Sequence, residues 1–295
     1  MTLLDHIAQS IEQATGQPFI PRRSRAQRGG CINRTEVLED GRRRFFVKIH
    51  EAARLAMFEA EAAGLGELAR PGIVRVPKAV ATGTAGEHAW LVLEYVPLSG
   101  GSAKSGRRLG ERLAILHQET RPAFGWDRDN TIGATPQPNG WLEDWVSFWR
   151  ERRLGFQLAL ARDNGLSRHA LDKGEELMNW LPAFFADYHL LPSLLHGDLW
   201  GGNWGEDERG EPVIFDPAVY YGDREADLAM TELFGGFPQD FYAAYRGTWP
   251  LDAGYGVRKV LYNLYHVLNH FNLFGGGYGS QAERMMERLL AECRG

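Results

Sequence analysis

Leu194-Leu195-His196-Gly197-Asp198-Leu199-Trp200-Gly201-Gly202-Asn203, followed by Val213-Ile214-Phe215-Asp216-Pro217, constrains this chain more than any other stretch. An aspartate, an asparagine five positions on, and a second aspartate closing a short apolar run place three oxygen-bearing side chains on stiff turns. That is the donor set of enzymes that move the γ-phosphoryl group of ATP. The first aspartate accepts the proton of the attacking hydroxyl, and the asparagine and second aspartate hold magnesium. Such a transfer depends on positioning and charge neutralisation more than on covalent chemistry. A chance spacing would stand alone, so the other parts of a kinase should appear elsewhere in the chain.

They do, in order. Lys48 sits in Phe45-Phe46-Val47-Lys48-Ile49, an otherwise apolar strand. An ammonium there is costly unless it is paired or reaches a phosphate; on an edge strand it could instead snorkel to water. Glu59 and Glu61 in the next helical stretch both qualify as its partner, and the helical wheel does not separate them. Gly29-Gly30-Cys31-Ile32 precedes the hairpin where a phosphate-covering loop belongs, since paired glycines let backbone N–H groups approach phosphate oxygens. Leu93-Glu94-Tyr95-Val96 ends the strand-rich part, with backbone groups of Glu94 and Val96 as adenine-binding candidates. His196 reads as a structural histidine, because Asp198 already fills the base role. Asp216 precedes Pro217, which favours extended backbone and predicts a fixed metal ligand. His266 and His270 lack the glutamate of a His-Glu-x-x-His zinc site and read as structural.

Residues 3–15 read as an amphipathic helix. Asp40-Gly41 between two strand-like runs signals a hairpin. The spacing predicts helices over 51–69, 109–117, 140–160, 171–188, 258–274 and 281–293. Trp141, Trp145, Phe148 and Trp149 are expected as the buried stripe of one of them. Gly275-Gly276-Gly277 follows no strand and is expected as the wide loop of a helical hairpin. The predicted fold class is α+β, two-lobed and protein-kinase-like. Its small antiparallel-sheet N-lobe with one main helix spans 1–96, and its larger, mostly helical C-lobe spans 97–295. The loose stretch Ser99-Gly100-Gly101-Ser102 marks the boundary.

Net charge of −5 points away from nucleic acid, and no apolar run approaches the about 20 residues of a membrane span. Two cysteines make no disulfide framework, which with the polar N-terminus predicts a cytoplasmic protein.

At these residues the chain resembles the fructosamine kinase (ketosamine-3-kinase) family, a branch of the aminoglycoside-phosphotransferase and choline-kinase side of the kinase-like fold. The resemblance covers nearly the whole chain. It rests on Gly-Gly-Cys-Ile at 29–32, Phe-Val-Lys at 46–48, Met-Phe-Glu-Ala-Glu at 57–61 and Phe-Gly-Trp-Asp-Arg-Asp-Asn at 124–130. Further support comes from Ile-Gly-Ala-Thr-Pro-Gln at 132–137, Asp-Leu-Trp-Gly-Gly-Asn at 198–203 and Asp-Pro-Ala-Val-Tyr-Tyr-Gly at 216–222. Arg28 and Asp223 depart from it, standing where a third glycine and a histidine are expected.

The resemblance implies ATP- and Mg2+-dependent phosphorylation of a ketosamine 3-hydroxyl on a small amine or a glycated protein lysine, the unstable product then freeing the amine. It implies ribulosamines and erythrulosamines ahead of fructosamines. By position, Asp198 is the base, Asn203 and Asp216 bind magnesium, Lys48 meets the phosphates and Glu61 pairs with Lys48. Trp200 lies against the sugar, and Asp227 bonds the catalytic loop. Cys31, in the phosphate loop, would then be redox-sensitive, giving a monomer or a redox-sensitive homodimer; the alternative is a small residue that merely fits. Competing functions are a phosphotransferase for an aminoglycoside or amino alcohol, and a nucleotide-binding pseudokinase.

Overall fold

The computed structural model describes residues 1–26 and 33–294. Arg28, Gly29, Gly30, Cys31 and Ile32, with the phosphate-loop and redox expectations attached to them, therefore lie outside the described residues.

Helix α1 (Leu3–Thr15) starts on a Thr2/Asp5 capping box and ends at Gly16 in left-handed backbone. Strands β1 (Arg23–Ala26), β2 (Arg34–Glu39) and β3 (Arg44–Glu51) follow. The β2–β3 turn forms because the Asp40 carboxylate accepts the N–H groups of Arg42 and Arg43 at 2.8 and 2.7 Å. A 3-10 turn (Ala52–Arg54) leads into α2 (Leu55–Ala69), so the helix expected from 51 begins four residues later. Strands β4 (Ala79–Ala85) and β5 (His88–Glu94) complete an antiparallel sheet of order β1-β2-β3-β5-β4.

The period of two along these strands sorts their side chains. Phe45, Val47 and Ile49 of β3 and Trp90 and Val92 of β5 pack with Ile7 and Ile11 of α1. Ala89, Leu91 and Leu93 face the other way, with Phe58, Leu65 and Leu68 of α2. Lys48 shares that second side. Because β3 is central and Lys48 is only 4% exposed, snorkelling to water is excluded.

Beyond β5, Ser99 bridges to Glu206, and Ser102 caps α3 (Ala103–Leu116) with a capping box to Ser105. The helix expected from 109 thus starts six residues earlier, directly after the stretch read as a loose boundary, whose last residue, Ser102, is its N-cap. Strands β6 (Asn130–Ile132) and β7 (Thr135–Gln137) form a short hairpin. Helix α4 (Trp145–Phe148) runs through a π-helical stretch (Trp149–Leu154) into α5 (Gly155–Asp163). Asp144 caps α4 by accepting the Ser147 N–H at 2.7 Å. Trp141 therefore lies before the helix and is 38% exposed, while Trp145, Phe148 and Trp149 are buried. The expected four-residue stripe loses its first member because the chain around Leu142 pairs in extended form with Phe124.

Helix α6 (Arg168–Trp180) follows, then a 3-10 turn (Leu181–Phe185). Two small ladders come next, β8 (Ser193–Leu195) with β11 (Tyr220–Gly222) and β9 (Trp204–Glu206) with β10 (Pro212–Ile214). Helices α7 (Glu225–Thr231), α8 (Gln239–Thr248), α9 (Tyr255–Phe274) and α10 (Tyr278–Arg294) close the chain. The glycine run is a tight three-residue turn between α9 and α10, not a wide loop. Gly275 and Gly276 reverse the chain there at φ 64° and 63°. Among the described residues no helix is long and apolar enough to cross a membrane.

Candidate active site

Strand β8 delivers His196, Gly197 and Asp198, and its pairing with β11 sets the chain that follows Asp216 beside them. The Ala218 N–H donates to the His196 carbonyl at 2.8 Å, and the Phe215 N–H donates to the Asn203 carbonyl at 3.0 Å. The close approach requires glycine at 197. Its φ is +82°, and a Cβ there would stand 2.0 Å from the Ala218 carbonyl oxygen.

Asp227, the third residue of α7 and fully buried, accepts the His196 and Gly197 N–H groups at 2.7 and 2.8 Å. His117 Nε2 lies 3.2 Å from the same carboxylate. Burial opposes the charge on Asp227, but the His117 bond and neighbouring histidines outweigh it and hold the carboxyl below its ordinary pKa. His196 is fully buried. Its Nε2 donates to the Phe215 carbonyl at 3.0 Å and its Nδ1 accepts the Asp198 N–H at 3.2 Å, the pattern of a neutral ring. Burial pushes its pKa down, in keeping with a structural role.

Asn203 joins the two aspartates. Its Nδ2 donates to the Asp198 carbonyl at 2.9 Å, to Asp198 Oδ2 at 3.2 Å and to the Asp216 carbonyl at 3.5 Å. Burial, then the nearby Asp216 charge, pushes the Asp198 carboxyl up to about 7. Lys48 Nζ sits between Asp216 Oδ1 at 2.6 Å and Glu61 Oε1 at 2.7 Å. Burial opposes the ammonium, but Asp216 and Glu61 outweigh it and raise Lys48 above its usual pKa. Glu59 is exposed, and the Lys48–Glu61 ion pair decides between the two acids.

Asp216 corrects one expectation. Its φ is +56°, left-handed and not extended. Aspartate is among the few residues that tolerate this region, at a cost of about 1–2 kcal/mol. The chain must reverse between the Phe215 and Ala218 hydrogen bonds, and that reversal overrides the preference set by Pro217.

These groups open on a cavity of about 480 Å3. Its lining carries Lys48, Glu61, Asp198, Asn203 and Asp216 together with a cluster of touching rings, Trp200, Phe234, His270, Phe274 and Tyr278. Trp200 is 39% exposed and meets the Phe234 ring edge-on. His266 is buried neutral, its pKa driven to about 3 by burial and then by His270, and its carbonyl accepts from His270 Nδ1 at 2.8 Å. Both histidines line the cavity, so His270 presents its other face to whatever binds.

Glu94 and Val96 are not among its lining residues. The Glu94 N–H is already given to the Lys78 carbonyl at 2.8 Å, which leaves only its carbonyl for a ligand.

Several residues were not singled out from sequence. Gln137 Nε2 donates to the Ala218 carbonyl at 3.1 Å, and Asn130 Nδ2 donates to the Val219 carbonyl at 2.8 Å, clamping the chain just beyond Asp216. The buried Arg153 supports the clamp, donating to Asn139 Oδ1 at 2.7 Å and lying over the Tyr220 ring. Asn33 lines the cavity, and its Oδ1 is buried without a partner among the described residues. Asn130 and Gln137 fall inside motifs that were visible, but nothing local reveals which carbonyls they hold. The departure at Asp223 is also accommodated: burial pushes its carboxyl up, and it accepts hydroxyls of Tyr188, at 2.9 Å, and Tyr262.

A family model described as fructosamine kinase matches residues 3–292. The chain belongs to the fructosamine kinase family. A probable ketoamine kinase of Synechocystis is 50% identical over 285 residues, 96% of each chain. The chloroplastic protein-ribulosamine 3-kinase of Arabidopsis thaliana is 43% identical, over 89% of this chain and 81% of its own. Among solved structures, a putative fructosamine-3-kinase from Haemophilus somnus superposes with TM-score 0.89 at 31% identity, covering 96% of each chain. A choline kinase from Streptococcus pneumoniae, at TM-score 0.64 and 14% identity over 97% of this chain and 99% of its own, shares the fold. The fructosamine kinase chain is therefore an α+β protein of the protein-kinase-like fold and an ATP-dependent phosphotransferase.

Proposed function

We propose that the chain transfers the γ-phosphoryl group of ATP to the 3-hydroxyl of a ketosamine, with a ribulosamine as preferred acceptor. The phosphorylated adduct then breaks down and frees the amine. One observation carries the reading. Lys48, the Asp198–Asn203 turn and Asp216, separate in sequence, converge on one cavity that also carries a cluster of aromatic rings and holds no carboxylate besides Glu61, Asp198 and Asp216 among the described residues. A polycationic aminoglycoside would call for more acid than that. Names of relatives support the acceptor class, since one is a ribulosamine 3-kinase. A pseudokinase would have no need of a complete catalytic set.

In this reading Asp198 takes the proton of the 3-hydroxyl as phosphorus is attacked. Its carboxyl is poised near neutrality, where a general base works best. Lys48, held by Glu61, binds the phosphates. Asp216 and Asn203 would hold magnesium, which supplies charge neutralisation on the phosphates. The donors fit that ion: they offer oxygen, as a hard cation requires, and the Asp216 side chain is 40% exposed toward the cavity. Trp200 takes the apolar face of the sugar, while Asp227 and the Asn130–Gln137 clamp orient the two catalytic turns. Residues 1–96 would form the nucleotide lobe and 97–295 the acceptor lobe, with the Glu94 carbonyl and the Val96 N–H facing adenine. Glycated protein lysines extend the acceptor list, and cytoplasmic location fits that chemistry.

The test is a phosphorylation panel with ATP and magnesium: ribulosyl-, erythrulosyl- and fructosyl-lysine, an aminoglycoside and choline. Turnover of the ketosamines, ribulosyl-lysine foremost, is expected. Turnover confined to the last two would overturn the acceptor assignment, and turnover of none would favour the pseudokinase. As a control, Asp198→Asn should lose roughly 10²–10⁴-fold in kcat while still binding ATP.

A further inference from the structure

Beside the catalytic cavity, α9, α10 and the chain after α7 border a second, open cleft of about 280 Å3. Its floor is apolar, formed by the partly buried Leu233, Val260 and Met285. Its rim carries three cations, Lys259, Arg284 and Arg288, and no carboxylate is among its lining residues. Lys259 is taken by Glu232, just outside the cleft, at 2.7 Å. The two arginines are not taken. Neither makes a hydrogen bond or ion pair among the described residues; Arg284 only exerts a longer-range pull on Glu287.

The helical spacing explains this segregation. Glu283 and Glu287 lie one turn apart on the side of α10 that meets Lys173 of α6, at 2.9 and 2.5 Å. Arg284 and Arg288, also one turn apart, are rotated onto the side that meets the cleft. At the cleft, Asn263 is 7% exposed, and its Oδ1 is a buried acceptor with no partner among the described residues. Such a group is costly to leave unpaired, so its presence calls for a donor.

We propose that this cleft is a second ligand site, selective for a small sugar monophosphate. Arg284 and Arg288 face the phosphate, whose charge of about −1.5 to −2 at pH 7 matches two unpaired guanidinium groups. Asn263 Oδ1 accepts a sugar hydroxyl. The apolar floor takes the C–H face of the sugar. The cleft falls below the roughly 300–1,000 Å3 of pockets for drug-sized ligands, so a nucleotide does not fit this description. The site is separate from the acceptor site but adjoins it: Leu233 stands in the cleft, and the next residue, Phe234, stands in the catalytic cavity.

Glucose 6-phosphate, inorganic phosphate and glucose should be titrated calorimetrically into the full chain, with AMP-PNP and magnesium filling the nucleotide site. The expected order is glucose 6-phosphate tightest, inorganic phosphate weaker and glucose without measurable binding. Arg284→Ala/Arg288→Ala, both surface changes, should weaken glucose 6-phosphate at least about tenfold and leave basal ketosamine turnover unchanged. Asn263→Ala, checked for unaltered melting temperature, should weaken glucose 6-phosphate but not inorganic phosphate. If Asn263→Ala unfolds the chain, Asn263→Asp makes the same comparison. The proposal is overturned if glucose 6-phosphate does not bind, or if the arginine pair makes no difference. Displacement by fructosyl-lysine would also overturn it, because the phosphate would then occupy the acceptor site. Equal binding of glucose 6-phosphate and inorganic phosphate would overturn the selectivity for a sugar.

Discussion

Replacing Asp227 with asparagine should uncouple the catalytic turn from the helix that holds it. In the wild type one buried carboxylate accepts two backbone N–H groups, from His196 and Gly197, and meets His117 Nε2. An amide of the same shape keeps one oxygen. Its NH2 must then face a donor on the other side, so one buried N–H is left unpaired at a cost of about 1–3 kcal/mol. The bond that survives changes from charge-assisted to neutral and loses roughly half its strength, about 1 kcal/mol. The sum is about 2–4 kcal/mol, a substantial part of the 5–15 kcal/mol typical of a folded domain.

Urea unfolding should show this as a lower midpoint at unchanged slope. Because the Asp227 pKa is depressed, the wild-type advantage is full above the ordinary carboxyl value of 3.8 and is lost as pH falls through the folded value. Catalysis should suffer separately. Misplacing Asp198 by about 1 Å costs on the order of 10²-fold in kcat, whereas AMP-PNP affinity should hardly change. A variant less than about 1 kcal/mol destabilised with wild-type kcat would refute the reasoning, since those N–H groups would then have found other partners.

Gly197→Ala adds left-handed strain of about 1–2 kcal/mol and a Cβ 2.0 Å from the Ala218 carbonyl oxygen; kcat should collapse, and wild-type kinetics would show that the turn relaxes freely. Glu61→Gln removes one of the two acids holding Lys48, so AMP-PNP binding measured by calorimetry should weaken and stability fall by up to about 3 kcal/mol; unchanged nucleotide affinity would disprove Lys48 as a phosphate contact. His266 is neutral in the fold down to about pH 3. The unfolded chain protonates it below about 6.5, so its contribution is full above that value and is lost toward acid at up to about 1.4 kcal/mol per pH unit. His266→Gln should flatten the slope of unfolding free energy between about pH 6 and 4, and identical slopes would contradict a buried neutral ring.

The sequence by itself determined the chemistry and its order. Lysine in an apolar strand, Asp198 and Asn203 five apart, and an aspartate after a short apolar run are local patterns. The hairpin at Asp40-Gly41, the helix at 3–15 and most of the helix expected at 51–69 follow from turn chemistry and periodicity over neighbouring residues. Tertiary structure decided what depends on partners far along the chain. Lys48 and Asp216 are 168 positions apart and meet only in the folded chain, where the Lys48–Glu61 contact also shows which helix acid completes the pair. Asp216 adopts left-handed backbone against the preference of its own dipeptide because hydrogen bonds on both sides force the chain to reverse. Trp141 falls outside its helix because Leu142 finds a strand partner in Phe124. His270, Phe274 and Tyr278 line the cavity because α9 packs on α7, the helix that carries Asp227, and α10 packs back on α9. Periodicity reports which face of an element is apolar. It does not report which distant face covers it, and that choice brought the aromatic rings to the cavity.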